Sequence, residues 1–449
     1  MATVLLLLGC TQHITIDSGG DAPLVPVTVS DLSWTLHPTI ESLVYAQWTQ
    51  DVAATVHVET SVDDGVWVSS PSFEAQQGVN TQLLVGIPYD WDAAWRVVVE
   101  GQDSTDGPTI TTGDLPDTDV PQPELTVSDE SQWWEGGNYL LTSINERRGG
   151  WTTGNYWTLI LDRQGRIVWA SEAPDGHWTL FAQVDQSGQG FYWDEATYWS
   201  DWDDGAGSKI HQTWLDEEIQ VIDTPGLHHA WVQMPDGGFA WGSQDHGGRE
   251  ALVERVAGQD DETVLWTCQD DWPDSGDCES NGLFYDAETD SFLYSFYTNN
   301  SIVEVDHATG ESLWWAGEVR DGFDFNPSDA QYSWQHGITY TDSGTLLVST
   351  EWPYDSRDQT TVLAEYQVDR TNGTLTYVWG SDSGSYASTN GDAWRLANGN
   401  TLHAVGAASV IREVNPDGDD VWRLEFNADR LVGRSEFIED LYDLASPRE

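Results

Sequence analysis

The sequence predicts an all-β chain: an N-terminal β-sandwich followed by a six-bladed β-propeller whose ring is closed by N- and C-terminal strands. Three observations predict it. From about Tyr139 onward a strand-turn-strand unit recurs roughly every fifty residues. Before it, between Ala22 and Asp114, lie short alternating or β-branched runs. The 449 residues, 39% hydrophobic and 12% aromatic with 26 Trp, exceed one ordinary core yet carry enough apolar material for two.

Charge narrows the partners. Asp and Glu number 76 against 17 Lys and Arg, a formal net charge of -59. Such a field repels phosphate backbones and anionic head groups, so no nucleic acid is expected as a partner. A solvated surface suited to salty surroundings is the plain explanation of the acidity, and calcium binding is its rival. The acidic turns Asp201-Trp-Asp-Asp-Gly205 and Asp417-Gly-Asp-Asp420 offer hard oxygen ligands, although neither has the ligand spacing of an EF-hand loop. No cofactor is expected; Ca2+ is the one ion these turns leave open.

In chain order, residues 1–21 read as an export signal and tether. Met1-Ala-Thr-Val-Leu-Leu-Leu-Leu-Gly-Cys10 is an apolar run ending on a small residue and Cys, followed by a polar, Gly- and Ser-containing stretch. It resembles a bacterial lipoprotein signal with Cys10 as the acylated residue; an ordinary buried N-terminal strand is the alternative. No later stretch approaches the roughly 18 apolar residues of a membrane helix, so contact with a membrane would run through the lipid anchor alone. The expected location is the cell envelope, on its periplasmic face or at the cell surface.

Residues 22–113 carry the sandwich, in Pro26-Val-Thr-Val29, Leu43–Trp48, Ala54–Thr60, Thr81–Val85 and Ala94–Glu100. This spacing resembles a fibronectin type III or immunoglobulin-like module, whose role would be that of a spacer or support. Residues 114–127 form a linker, because Asp114-Leu-Pro-Asp-Thr-Asp-Val-Pro-Gln-Pro-Glu124 is too rich in Pro and Asp to join a sheet. Residues 128–449 hold the propeller.

One half of the repeated unit is an apolar strand, a polar turn and a strand ending in Trp, as in Leu159–Trp169, Val303–Trp314, Val368–Trp379 and Val414–Trp422. The other half is a second hairpin, as in His229–Trp241, Phe284–Tyr294, His336–Val348 and Ala393–His403. Two hairpins make four strands, one propeller blade. The turn residues Asp185, Asp236, Asp286, Asp342 and Asn398 are about 50 to 56 apart, which gives six blades. After Trp422 little remains, so the last sheet is expected to take Asn138–Ser143 as its partner, closing the ring and hiding its edges. The recurrent Trp169, Trp266, Trp314, Trp379 and Trp422 are read as packing between blades. Cys268 and Cys278, with nine residues between them, form a loop easily closed by a disulfide in an oxidising compartment.

Propeller sites usually sit where the innermost strands begin. Counting back from each second-hairpin turn brings Trp178, His229, Glu279, His336 and Gly391 to one level, with His177, His228 and Gln335 beside them. Any one histidine here is most simply a hydrogen-bonded structural residue; two histidines and a glutamate at one level point to a site at the mouth of the channel.

Leu227-His-His-Ala-Trp-Val-Gln-Met-Pro-Asp-Gly237, Asn281-Gly-Leu-Phe-Tyr-Asp286, Val303-Glu-Val-Asp-His-Ala-Thr-Gly310, Trp334-Gln-His-Gly337 and Leu396-Ala-Asn-Gly-Asn-Thr-Leu402, in that order, resemble the bacterial arylsulfotransferase family. The resemblance spans roughly residues 130 to 426. It implies an exported propeller that moves a sulfuryl group from an aryl sulfate to a phenol, without a nucleotide donor, through a sulfohistidine. On that resemblance His336 is the nucleophile and His229 binds the sulfuryl oxygens. The family's third histidine falls on Glu279 and its arginine near Tyr297, which would then handle protons. His228, Asn281, Trp231 and Trp334 would hold the substrate, the two tryptophans by stacking on a phenolic ring. Arg249 and Arg320 are the nearby cations that would replace the missing arginine. Beside this chemistry stand a noncatalytic site for an aromatic or cationic ligand, and a surface adhesion or scaffolding lipoprotein.

Overall fold

The structure, a computed structural model, describes residues 26–447 except 64, 146–154, 175, 187, 189, 198–206, 245–249, 274–277, 355–357 and 428–429. Cys10, Arg249 and the acidic turn at Asp201 lie outside the described residues.

Strands dominate. In the N-terminal unit, Val29–Leu36, Val44–Gln50 and Gly78–Leu84 form one sheet, and Ala54–Ser61 with Asp92–Val99 centres the other. Alternate residues of Val44–Gln50 and Asp92–Val99 are buried, as a strand with one face on a core requires. Between the sheets pack Trp48, Val56, Val58, Trp95 and Val97. The unit sits against the ring: Arg166 of the propeller forms a forked pair with Asp63 at 2.8 and 2.9 Å and also holds Asp162.

Six blades follow, each built of four antiparallel strands, with Asp324–Asn326 added in parallel at the edge of blade 5. Blade 1 takes its innermost strand, Val432–Ile438, from the far end of the chain and continues outward through Tyr139–Asn145, Tyr156–Asp162 and Ile167–Glu172. Blades 2 to 6 begin on the innermost strands Ala182–Val184, Leu227–Gln233, Ser280–Asp286, Ser333–Tyr340 and Asp392–Arg395. Closure therefore joins the two ends, but not as the repeat suggested. The strand Tyr139–Asn145 pairs with Val432–Ile438, while Asp420–Glu425 completes blade 6 and pairs with Glu124–Ser128 as a fifth, outer strand. Residues 124–127, read from sequence as linker, thus belong to a sheet. The Pro-rich stretch ends just before them, and Leu125 and Val127 have backbone donors to give.

Tryptophans on the fourth strands of the blades, counted from the axis, bolt neighbouring blades. The indole N–H of Trp169 in blade 1 donates to the Leu215 carbonyl in blade 2 at 2.9 Å, and that of Trp379 in blade 5 to Pro416 in blade 6 at 2.8 Å. Trp422 in blade 6 donates to Arg163 in blade 1 at 2.8 Å, and Trp266 in blade 3 to Ser312 in blade 4 at 3.0 Å. Trp314 differs. It donates to Glu304 in its own blade, whose carboxylate also takes Tyr340 and Arg370 from blade 5. Cys268 and Cys278 are joined by a disulfide that closes the loop between blades 3 and 4. In the acidic turn after Val414, the Asn415 side chain accepts from the N–H groups of Asp417 and Asp419, while Asp420 is held by Arg412 and Arg423.

Where blades 1 and 6 meet, Arg163 is buried under Trp133, Trp422 and Phe437, with ring centroids 4.4 to 4.6 Å from its guanidinium carbon. It donates to Glu413 at 2.5 Å. The other Glu413 oxygen accepts from the Trp134 N–H at 2.8 Å and Asn400 Nδ2 at 2.6 Å. A buried pair whose carboxylate is satisfied this fully fastens the closing segment to the last blade.

Candidate functional site at the channel mouth

A cavity of about 220 Å³ opens where the innermost strands begin. Every blade contributes to its wall. Blade 2 gives Trp178 and Leu180, blade 3 His229, and blade 4 Asn281 and Tyr297. Blade 5 gives Trp334 and His336, the approach to blade 6 gives Thr389 and Asn390, and Leu431 leads into the closing strand of blade 1.

The ladders are irregular here. Register shifts separate Leu227 from Trp231, Ser280 from Gly282, and Ser333 from Gly337. The residues between them include His228, His229, Asn281, Trp334 and His336. A bulge turns side chains out of the strict alternation of a strand and re-aims them, which is how a strand buried on both faces can present histidines to a cavity. Glycines let these backbones crowd together. A Cβ on Gly282 would stand 2.6 Å from the His336 carbonyl oxygen, and one on Gly337 would stand 2.5 Å from the Asp392 Cα.

His336 is 8% exposed, and its Nδ1 lies 2.8 Å from the Trp334 carbonyl oxygen. A carbonyl only accepts, so Nδ1 carries the proton and Nε2 keeps its lone pair. Burial holds His336 down to about 4, so the ring is neutral at neutral pH. Burial first and the neighbouring His336 second hold His229 down to about 3. Trp334, whose carbonyl fixes His336, has φ of 48°, in the left-handed region that a bulky residue seldom occupies. Its N–H donates to Asn300 Oδ1 at 2.8 Å, and its ring stacks on Tyr297 with centroids 5.7 Å apart. Such a conformation costs about 1–3 kcal/mol and persists where the surroundings impose it.

The other residues singled out from sequence divide. Tyr297 lines the cavity and donates its hydroxyl to Glu279, which is half-buried behind it and is not part of the wall. Asn281 takes the wall position that counting assigned to Glu279, because the register shift at Ser280 displaces the alignment. Its amide is held at both ends, donating to the Gln335 carbonyl and accepting from Ser295. His228 lies behind His229, the two Nδ1 atoms 3.3 Å apart. Trp231 does not reach the cavity. It is fully buried against Tyr192 and Phe239 in the space between blades 2 and 3, because the register shift between Leu227 and Trp231 turns it away from the face that His229 takes. His177 pairs with Glu195 at 2.6 Å, away from the wall. Arg320 lines a separate surface groove with Glu318 and Asp324.

No lysine or arginine is among the described residues of the wall. Deeper in the ring, Arg434 is turned onto Asp392 at 3.3 Å and over the Trp394 ring at 4.3 Å. Leu180, Thr389, Asn390 and Leu431 carried no sequence signal: two are aliphatic, two lie in an irregular approach, and Leu431 precedes a strand outside the recognised repeat.

No protein-family model matches the chain, and no curated protein matches it. Among solved structures it is similar to a protein of unknown function from Bacteroides caccae, at 13% identity and TM-score 0.43, covering 65% of this chain and 94% of that one. It is also similar to the periplasmic gluconolactonase of Pseudomonas aeruginosa, at 8% identity and TM-score 0.40, covering 67% and 99%. A third is virginiamycin B lyase from Staphylococcus aureus, at 11% identity and TM-score 0.39, covering 72% and 97%. The chain is a β-propeller protein on the strength of its own six sheets and their closure.

Proposed function

We propose that the chain transfers a sulfuryl group from an aryl sulfate to a phenolic acceptor at this cavity, with His336 as the covalent carrier. The observation that carries the reading is the fixed tautomer of His336: Nδ1–H is spent on the Trp334 carbonyl, and a neutral ring keeps its Nε2 lone pair beside an aromatic cavity. In the first half-reaction Nε2 attacks sulfur, an N–S bond forms, and the S–O bond to the aryl group breaks with its electron pair on the phenoxide. In the second, the acceptor phenol passes its proton back to the Tyr297 oxygen as its own oxygen attacks sulfur, and the N–S bond breaks with its electron pair on Nε2 to restore the neutral imidazole. The hydroxyl of Tyr297, held by Glu279, is the group placed to hand a proton to the leaving phenoxide. His229 is the ring set beside the sulfuryl oxygens, and Trp334 with Tyr297 forms the stacking surface for the substrate ring.

A second reading, a noncatalytic site for a neutral or cationic aromatic ligand, is favoured by one observation: the described wall has no Arg or Lys to meet a sulfate ester. Transfer of sulfuryl from an aryl sulfate to a phenol, measured for wild type and His336→Ala, separates the two. Histidine-dependent transfer supports the first. Saturable binding of phenols without transfer, abolished by Trp334→Ala, supports the second. Export and lipid anchoring through Cys10 belong to the same proposal and rest on the signal-like N-terminus.

A further inference from the structure

Behind His229, between blades 3 and 4, lies a polar pocket that the transfer reading does not use. Its centre is Glu250, fully buried just before the strand Ala251–Arg255. One Glu250 oxygen accepts from Ser280 Oγ at 2.6 Å and from the Tyr294 hydroxyl. The other accepts from Gln244 Nε2 and from the Ser280 N–H, the latter at 3.4 Å. The pocket is built into the backbone: a Cβ on Gly242, whose φ any residue could adopt, would run into Glu250, Tyr294 and Ser280 together. Glycine stands there to leave room for the carboxyl.

Ser280 links this pocket to the cavity. Its carbonyl is hydrogen-bonded to both the His228 and His229 rings, and its side chain and N–H are both gripped by Glu250. His228 Nδ1 also stands 3.8 Å from Glu250 Oε2. We propose that Glu250 is a positioning residue for the cavity: acting through Ser280, it fixes the ring orientation of the His228–His229 pair and hence the ring nitrogen that His229 presents beside His336. The inference deepens the proposed function and rests on it for the role of His229, but the geometry is testable without any activity.

A consequence for pH follows. The groups facing Glu250 are His228 and Gln244 from blade 3 and Ser280 and Tyr294 from blade 4. Burial holds His228 well below the usual imidazole range and Tyr294 well above the usual phenol range. Burial pushes Glu250 up to about 7, against hydrogen bonds from Ser280, Tyr294 and Gln244 that pull it down. The group that titrates near neutrality is therefore this carboxyl, while His229 and His336 stay neutral throughout that range.

The test is ring nitrogen NMR on the full chain with labelled histidine, from pH 5.5 to 8.5, signals being assigned with His228→Gln and His229→Gln. In wild type the His228 and His229 rings should keep neutral-imidazole shifts yet move with one midpoint near 7. In Glu250→Gln that step should vanish. In Ser280→Ala, which removes one hydrogen bond to the carboxylate, the midpoint should rise by about half to one pH unit. Should Glu250→Gln fail to fold, Ser280→Ala decides alone. A step that survives Glu250→Gln, or Ser280→Ala signals superimposable on wild type, overturns the inference. If wild type shows the step but no sulfuryl transfer, the proposed function fails while the positioning role stands.

Discussion

Breaking the Arg163–Glu413 pair should loosen the ring at its closure, and the structure gives the magnitude. Arg163→Met leaves Glu413 buried without its cation, an imbalance that typically costs about 3–5 kcal/mol. The N–H of Trp134 and the amide of Asn400 still donate to Glu413, which places the loss toward the lower end. Three cation–π contacts go as well, worth about 0.5–1 kcal/mol each or more when dry. A thioether among the rings of Trp133, Trp422 and Phe437 returns about 0.3–1.5 kcal/mol per contact. The net expectation is about 3 kcal/mol. Glu413→Gln should also destabilise, because Glu413 is the hydrogen-bond acceptor that Arg163 has in this pocket, its Nε and Nη1 being buried without partners. The double variant Arg163→Met/Glu413→Gln removes both charges and should fall within about 1–2 kcal/mol of wild type. Equilibrium urea denaturation followed by tryptophan fluorescence gives all four stabilities. The reasoning is refuted if Arg163→Met lies within about 1 kcal/mol of wild type, or if the two single losses simply add.

Three further outcomes are expected. Gly282→Ala, which forces the strands carrying Asn281 and His336 apart, should lower stability by about 1–3 kcal/mol and weaken phenol binding, read by calorimetry; unchanged binding would show the close approach to be incidental. For His336, the folded ring is held near 4 against an ordinary 6.5, so the unfolded chain takes the proton first as pH falls. Its contribution is fully present above 6.5 and is lost toward 4. Between those limits wild type should lose about 3 kcal/mol more than His336→Gln, and parallel stability curves would contradict this. Cys10→Ser should abolish incorporation of labelled palmitate by the expressed protein, and equal labelling of both forms would remove Cys10 as the anchor.

Much of the fold was legible because propeller hairpins write themselves in short range. Polar turns such as Asn415-Pro-Asp-Gly418 between apolar runs fix strand pairs locally, and the outer-strand tryptophans mark each unit. The closing strand was not legible. Val432–Ile438 carries Gly433, Arg434, Ser435 and Glu436, a polar reading for a strand that is largely buried, because its partners Asp392 and the Val184 N–H lie in other blades. The site was half legible. Repeat counting finds the level of the channel where side chains converge, and found His229 and His336. It fails by two residues at Asn281, because a bulge shifts the register without changing the composition. Trp231 was misread for the same reason: two residues on from His229 it should share that ring's face, and the register shift between Leu227 and Trp231 turns it away. Glu250 was invisible, since a buried carboxyl looks the same in sequence as the many acidic residues at the surface.

The position of Val432–Ile438 has a consequence for biosynthesis. The strand nearest the axis of blade 1 is translated after every other strand of the ring, so Tyr139–Asn145 must wait with an open edge while five blades are made. Until then the cavity lacks the side that begins at Leu431, and an unpaired inner strand is free to recruit a wrong partner. Ring completion and appearance of the site are thus one late event. A nascent chain halted before Leu431 would hold all the histidines and no enclosed cavity for them to face, which makes activity or ligand binding a direct report that translation and ring closure have both finished.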